Sequence, residues 1–571
     1  MQATTSVVRY RTAMWTITRV LHGNTARNRC THGPMKSLPF MTLSLSVLVA
    51  CGGAQTTSTT PGGQAASAAG ATQAAAGDVS FEIPPIEVKG LVFEPEALGR
   101  PGMPLVEPKK KTTIEKQRAV FASTKDVVQK QAHAAILATL LYQKSKEDKA
   151  NEQALWTEAR QVLRDAAKAA GDKPDEITLR LLGSYELLLE DYAAAEKAWG
   201  GLVNADPKNK ETPYHRAWWA YSLLKQYKNA EALAVVKDET LTEKQPELAY
   251  VTAWAKWRSN DDAGAWNAIV TAAKGWGNSA GKEHVERDVF LFAGRANVAL
   301  AETLPQLFAV FDAKDKATQY SVLAKLGLQS YQFAGRWADG VAALDKAVET
   351  AGETVPANDR PVLRYTQADF AVRLDNPDAA ASYAKQAIEA LPACGAKCTE
   401  QEKQDLLYGI YGMGRLFHLV YATANDLRYY QPAYDLYAAT VNLMTDAARR
   451  EQATKDLGAL TATKNNSKPN TGTHDKGAIG ALLDRHNQEA QACYEAGLAA
   501  NPKLGGTVTV ELEADQTGTI KGVSTDPKAG LADLAAVAGC IGEQARGWKL
   551  PKRGTAGTTR IKLVYQLSAR K

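Results

Sequence analysis

The sequence predicts a mostly α-helical protein, a long solenoid of paired helices followed by a small α+β domain. Three observations predict it. From about Thr112 to residue 455 the chain is rich in Ala, Leu, Lys, Glu and Gln, with apolar residues at three-to-four spacing, which is helical periodicity. Stretches within that region match one another about every 35 residues, as stacked helical hairpins do. Beyond residue 475 the pattern changes to a helix, alternating strands and turn residues.

Composition limits the function classes. The 571 residues are 45% apolar and 23% charged, ordinary values for a core-forming protein. No apolar stretch reaches the ~18–20 residues of an internal membrane span, which excludes a polytopic membrane protein. The formal charge of +6 is a local matter: residues 1–50 hold Arg9, Arg11, Arg19, Arg27, Arg29 and Lys36 and no acid, leaving 62 basic against 62 acidic residues. A nucleic-acid partner needs a real cationic surplus, so no nucleic acid is expected.

Taken in chain order, residues 1–34 are Arg-rich and acid-free, as a transit peptide is, but the segment reads better as an upstream extension from too early a start codon. Residues 35–50, beginning at Met35, place one lysine before an apolar run and a small residue, the layout of a secretory signal. Leu48-Val49-Ala50-Cys51 resembles a bacterial lipobox. The resemblance implies acylation at Cys51 and a lipid anchor, and Gly52 after it implies the outer membrane. An ordinary signal with a chance cysteine is the plainer alternative. In the segment 51–110, residues 52–78 are Gly, Ala, Ser, Thr and Gln apart from Pro61 and Asp78 and cannot bury enough apolar area to order themselves. This gives a tether sampling about 30 Å. From 79 to 110, Pro84, Pro85, Pro95, Pro101, Pro104 and Pro108 alternate with Ile83, Ile86, Val88, Leu91, Val92 and Phe93, an extended strap along the folded body.

Residues 111–455 carry the repeats. The clearest unit runs Leu179, Leu182, Gly183, Tyr192, Ala195, Trp199 and closes at Pro207, and Tyr214, Tyr221, Tyr227 and Ala230 follow one period on. Ala265, Ile269 and Ala272 form the next, with later units at Tyr331, Gly335, Trp337, Leu344, Ala347 and at Ala380, Ala387, Pro392. Small residues let the helices of a hairpin approach, large ones fill the space between hairpins, and proline ends the second helix. The array resembles tetratricopeptide (TPR) proteins over roughly 300 residues, with four or five recognisable repeats. Glu186 stands where the pattern wants Tyr, and Trp218 where it wants a small residue.

Nothing in this region reads as catalysis. Gly277-Asn278-Ser279-Ala280-Gly281 fits a G-x-S-x-G string, but both flanks are helical, whereas a nucleophile elbow needs a strand before it. Gly409, Gly412 and Gly414 read as close helix packing. The eight histidines show no metal-ligand spacing. Trp218/Trp219 and Tyr429/Tyr430 fit a packed interior better than a ligand groove. No enzyme, cofactor or metal is expected.

Six cysteines are present. Without Cys30 and Cys51, four remain. Cys394 and Cys398 bracket Gly-Ala-Lys ahead of the capping box Thr399-x-x-Glu402 and can close a small disulfide loop. Half a zinc site is the alternative, but it lacks a second Cys/His pair. Cys493 and Cys540 are the second expected pair. An even count suits an exported protein.

Residues 456–475 are a polar linker, and 476–571 a separate module of order α-β-β-α-β: a helix at 479–498, strands at 507–513 and 519–523, a helix at 531–546 and a strand at 559–567. This is a small antiparallel sheet covered on one face. His486, Cys493-Tyr494-Glu495, Leu498, Asn501-Pro502, Leu504, Gly506, Val508, Val510, Gly518, Cys540, Trp548, Pro551 and Gly554 make it resemble the TonB-C-like C-terminal module of myxobacterial gliding-motility proteins of the AgmX/PglI type. These signature residues read mostly as core. Together with the lipobox and repeats, the chain resembles TPR lipoproteins of the adventurous gliding (Glt/Agl) envelope complex. The resemblance implies a non-enzymatic periplasmic scaffold on the outer membrane. Other envelope or motility proteins would be held in the TPR groove and by β-augmentation at the module's sheet edge. A periplasmic factor for β-barrel, peptidoglycan or polysaccharide assembly is the alternative.

Overall fold

The computed structural model describes residues 78–570 except 100, 101, 109, 238, 239, 297, 425, 465–473, 475 and 529–531. The start region, the signal, Cys51, the tether up to residue 77 and residues 465–473 of the linker lie outside the described residues. The described part opens with two short strands, β1 (Val79–Glu82) and β2 (Ile86–Gly90), and continues as an extended strap to helix α1 (Ile114–Ser123). Helices then follow in hairpins. These are α2 (Val127–Glu147) with α3 (Glu152–Ala170), α4 (Glu176–Leu188) with α5 (Tyr192–Ala205), α6 (Thr212–Lys225) with α7 (Asn229–Val236), and α8 (Pro246–Trp257) with α9 (Asp262–Trp276). They continue as α10 (Lys282–Arg295) with α11 (Leu300–Val310), α12 (Lys316–Lys325) with α13 (Trp337–Ala351), α14 (Asp359–Arg373) with α15 (Pro377–Cys394), and α16 (Glu400–Ala424) with α17 (Tyr430–Thr440). A last helix, α18 (Ala447–Lys464), closes the array. The chain is thus mostly helical, with a helical-repeat array ahead of a small α+β domain.

From α4 to α12 the first helices begin at residues 176, 212, 246, 282 and 316, steps of 34 or 36 that fall where the sequence repeat is clearest. Five of the hairpin turns are made the same way. Glu190, Tyr227, Asn260, Gly335 and Asp375 have positive φ. The next residue donates its backbone N–H five residues back, as in Asp191 to Glu186, Asp261 to Lys256 and Asn376 to Ala371. That is a Schellman ending, which satisfies carbonyls the helix leaves open. Asp191, Asp261 and Asn376 then cap the second helix by accepting from the N–H three residues on. One residue therefore ends one helix and starts the next.

Packing follows the small-and-large rule. A Cβ at Gly183 would stand 2.7 Å from the Trp199 indole nitrogen, and one at Gly340 would stand 2.6 Å from Phe370. The two departures from the repeat pattern are both accommodated. Glu186 is buried and takes a bidentate pair from Arg164 at 2.7 and 2.8 Å. Trp218 is buried against Trp199, with ring centroids 6.4 Å apart. Pro392 does not end its helix, because α15 runs on to Cys394. The boundary expected at residue 455 falls inside α18, which continues into the linker as far as Lys464.

The C-terminal module comprises α19 (Lys476–Leu483), α20 (Asn487–Ala500), β3 (Gly506–Ala514), β4 (Ile520–Lys528), α21 (Ala532–Arg546) and β5 (Thr559–Ala569). The single helix expected at 479–498 is broken by a 3-10 turn at Asp484–His486. The sheet departs further from expectation: it is mixed and five-stranded, in the order β1-β5-β3-β4 with β2 also on β5. β1 and β2 run parallel to β5, with Val79 opposite Thr559 and Ile86 opposite Tyr565. Pro84 and Pro85 fall between the two strands, where no ladder donor is needed. The strap therefore belongs to the module's sheet, and the β5 edge is already taken. The other edge, β4, carries Lys521, Pro527 and Lys528, features that discourage further strand pairing.

The signature residues of the module are structural here. His486 stacks on buried Trp548 at 4.7 Å, and Tyr494 donates its hydroxyl to Leu504 O at 2.6 Å. Gly518 turns at φ 80°, where a Cβ would lie 1.9 Å from Leu550 O. The module docks on the hairpin turns of the solenoid. Trp337 Nε1 donates to Glu489 at 2.8 Å, Arg295 to Ala492 O at 3.2 Å, and Arg485 pairs with Asp369 at 3.1 Å.

Candidate functional site

The strap crosses from the module to the solenoid and runs along the first helices of successive hairpins, in the direction opposite to the repeats. Leu91 N donates to Glu495 on α20 at 3.0 Å. Phe93 packs edge-on against Trp257 and Phe333, at 6.2 and 5.5 Å between centroids. Further along, Gly102 N donates to Tyr214 Oη on α6 at 3.0 Å and Val106 N to Thr139 Oγ1 on α2 at 3.0 Å. The solenoid thus has a groove, filled by an extended stretch of the same chain. Side-chain oxygens of the repeats receive several of the strap's main-chain N–H groups, among them that of Ala97, which is buried and would otherwise lack a partner.

Two glutamates anchor the middle of the strap. Glu94 pairs with Lys225 at 3.3 Å and with Arg258 at 3.4 Å, and accepts from Tyr227 Oη. The Arg258 side chain is fully buried. It donates to Leu224 O at 2.7 Å and to Phe93 O at 3.1 Å, and lies over the Tyr227 ring. Burial lowers its pKa, with Glu94 the chief influence in the other direction. Glu96 pairs with Arg287 at 2.7 Å and His284 at 3.2 Å.

Tyr250 lies beneath this stretch, fully buried on α8. Its hydroxyl accepts from Glu96 N at 3.0 Å and Ala97 N at 3.2 Å and donates to Asp288 at 2.7 Å. Asp288 also accepts from Trp254 at 3.3 Å and Arg287 at 2.8 Å. Burial pushes Asp288 up to about 6 in spite of these donors. It likewise raises Tyr250 well above its ordinary value, helped by the Asp288 charge. For Arg287, burial opposes the charge but Asp288 and Glu96 outweigh it, so its pKa is raised. Gly281, which closes the G-x-S-x-G string, sits in the turn before α10. Its φ is +85°, and a Cβ there would stand 2.0 Å from Ala97 O. Its glycine character serves the strap's close approach.

Of the residues singled out in the sequence, Cys51 lies outside the described residues. Cys394, the last residue of α15, and Cys398 just beyond it are at disulfide distance, Cα atoms 5.6 Å apart. Cys493 and Cys540 are likewise placed between α20 and α21, at 5.7 Å. Trp218, Tyr429 and Tyr430 are buried and do not line the groove. Gly409 stands under Tyr365 and Gly414 under Tyr437 within α16. Among the described residues no cluster of three or more His, Cys, Asp or Glu is placed to hold a metal ion, and no helix is long and apolar enough to cross a membrane. A polar cleft of about 330 Å³ between α15 and α17 is lined by residues such as Asp378, Lys385 and Asp435, with Lys385 paired to Asp435.

No family model and no curated protein matches the chain. Of the groove residues, the sequence marks Tyr214 only as a repeat position and does not mark Thr139, Tyr250 or Arg258, because Tyr and Thr at those spacings read as ordinary repeat packing. The available signal was Glu94 and Glu96, two acids flanking Pro95 in the otherwise apolar stretch from Leu91 to Leu98.

Proposed function

We propose that the protein is a non-enzymatic scaffold of the bacterial envelope, held at the periplasmic face of the outer membrane by a lipid at Cys51, and part of a gliding-motility complex. The observation that carries the scaffold reading is the groove, in which the solenoid grips extended polypeptide through main-chain N–H groups and two carboxylates. The motility assignment rests on the resemblance of the repeats and the C-terminal module to gliding-complex proteins. A TonB-like module offers a second docking surface. On its sheet, a partner strand would pair with an outer strand, β4 or β1/β2, or displace β1 and β2, since β5 is occupied on both sides.

The test is single-cell gliding speed in a deletion strain complemented with wild type or with Cys51→Ala. Loss of gliding restored by wild type alone supports both parts of the proposal. Unaffected gliding overturns the motility assignment and leaves envelope assembly as the role of the scaffold.

A further inference from the structure

We propose that the groove is a recognition site for an extended acidic segment of another protein, an aromatic residue followed by Glu-x-Glu, and that residues 91–99 are its internal occupant. The proposal rests on the scaffold reading for the existence of a partner and adds that partner's chemistry.

The grip has two components. The hydrogen bonds from Glu96 N and Ala97 N to Tyr250 hold any peptide backbone. The selective contacts are the ring pocket at Phe93 and the cationic sites at Glu94 and Glu96. Arg258 decides the charge requirement. With the strap lifted away, the guanidinium would keep only the Leu224 carbonyl and its ring neighbours. A buried cation without its counter-charge is costly, so a replacement ligand has to bring a carboxylate to the same place. Gly281 sets a second requirement, since the ligand backbone has to pass where a Cβ would stand 2.0 Å from the Ala97 carbonyl. A small residue two positions after the first glutamate's neighbour, as Ala97 is here, suits that approach.

The internal occupant is exchangeable in principle. The Glu96 side chain is 48% exposed, and surface pairs of that kind contribute little, typically below ~1 kcal/mol. Ala97 and Leu98 belong to the solenoid's buried core, so a partner segment of the same chemistry competes by bringing apolar residues to those two positions as well.

The test uses the full mature chain carrying Glu94→Lys and Glu96→Lys, which repels its own strap while leaving the groove intact. It is titrated with a labelled peptide of the natural residues 91–99, and with the same peptide bearing lysine at both glutamate positions. The natural peptide is expected to bind the variant at least tenfold more tightly than it binds the wild-type chain, and at least tenfold more tightly than the lysine peptide does. Equal binding of the two peptides, or no binding to a variant whose circular dichroism matches wild type, overturns the proposal. Should the double lysine variant not fold, Glu94→Gln with Glu96→Gln is read by the same two criteria. A wild-type chain that runs as a dimer and exchanges straps between copies also overturns it, making a second copy the occupant. None of these outcomes bears on gliding speed, so this proposal and the motility assignment fail separately.

Discussion

Replacing Tyr250 by Phe removes one oxygen and alters three hydrogen bonds while leaving the ring in place. In the folded protein that oxygen accepts from Glu96 N and Ala97 N and donates to Asp288. The ring is fully buried, so water cannot take its place. Each strap bond contributes about 1 kcal/mol net, and both are lost whenever the strap lifts, so the closed strap is weakened by about 2 kcal/mol. At 1.4 kcal/mol per factor of ten, its opening equilibrium rises roughly 30-fold. Asp288 keeps Trp254 and Arg287, so the helices around it remain folded. The assay is amide hydrogen exchange resolved to single residues. Protection at Glu96 and Ala97 should fall by about that factor, while amides inside α8 and α10 change far less. Unchanged protection at Glu96 and Ala97 would refute the claim that the Tyr250 hydroxyl holds the strap.

Three further outcomes follow from the same geometry. Gly183→Ala places a methyl 2.7 Å from the Trp199 indole. Overpacking costs of ~1–3 kcal/mol exceed the ~1 kcal/mol gained in helix propensity, so urea denaturation should show net destabilisation of the solenoid. Replacing Cys493 and Cys540 by Ser opens a link between residues 47 apart in sequence. Loop-closure entropy puts the loss at ~4 kcal/mol, and the module should melt first in calorimetry. Asp288 has a folded pKa of about 6 against ~3.9 in an unfolded chain, so the folded state holds a proton that the unfolded state releases. Its contribution to stability is complete below about pH 4 and is lost as pH rises through 6, on the order of 2–3 kcal/mol. Asp288→Asn should flatten the melting temperature between pH 4.5 and 7 relative to wild type.

The hairpins were legible because helical period, small residues and repeat length all act locally. Gly183 and Trp199 announce their contact within one hairpin. The turns were less legible: Glu190 and Tyr227 adopt positive φ although neither is the Gly or Asn that usually marks that geometry. The strap was readable as extended from its prolines, but its destination was not. The bond from Thr558 N to the Asp78 carboxylate spans 480 residues, and strand pairing at that distance leaves no periodic trace in either segment. The antiparallel sheet expected from β3, β4 and β5 alone became mixed for that reason. The groove stayed hidden because the same tyrosine serves as repeat core and as hydrogen-bond acceptor.

The parallel pairing of Val79 with Thr559 and of Ile86 with Tyr565 also sets a schedule for folding. Contacts of such long sequence separation form late, after their loop-closure entropy has been overcome. The strands synthesised first in the described chain have no partner until the last one is made. For the whole interval in which the helical hairpins assemble one after another, Val79–Glu82 and Ile86–Gly90 wait as unpaired strands, the condition in which nascent chains aggregate. Their shortness, the two prolines between them and the acidic Glu82 and Glu87 are features that discourage such pairing. Closure of the sheet then serves as a completeness check, because a chain cut short before Thr559 has nothing for its opening strands to join.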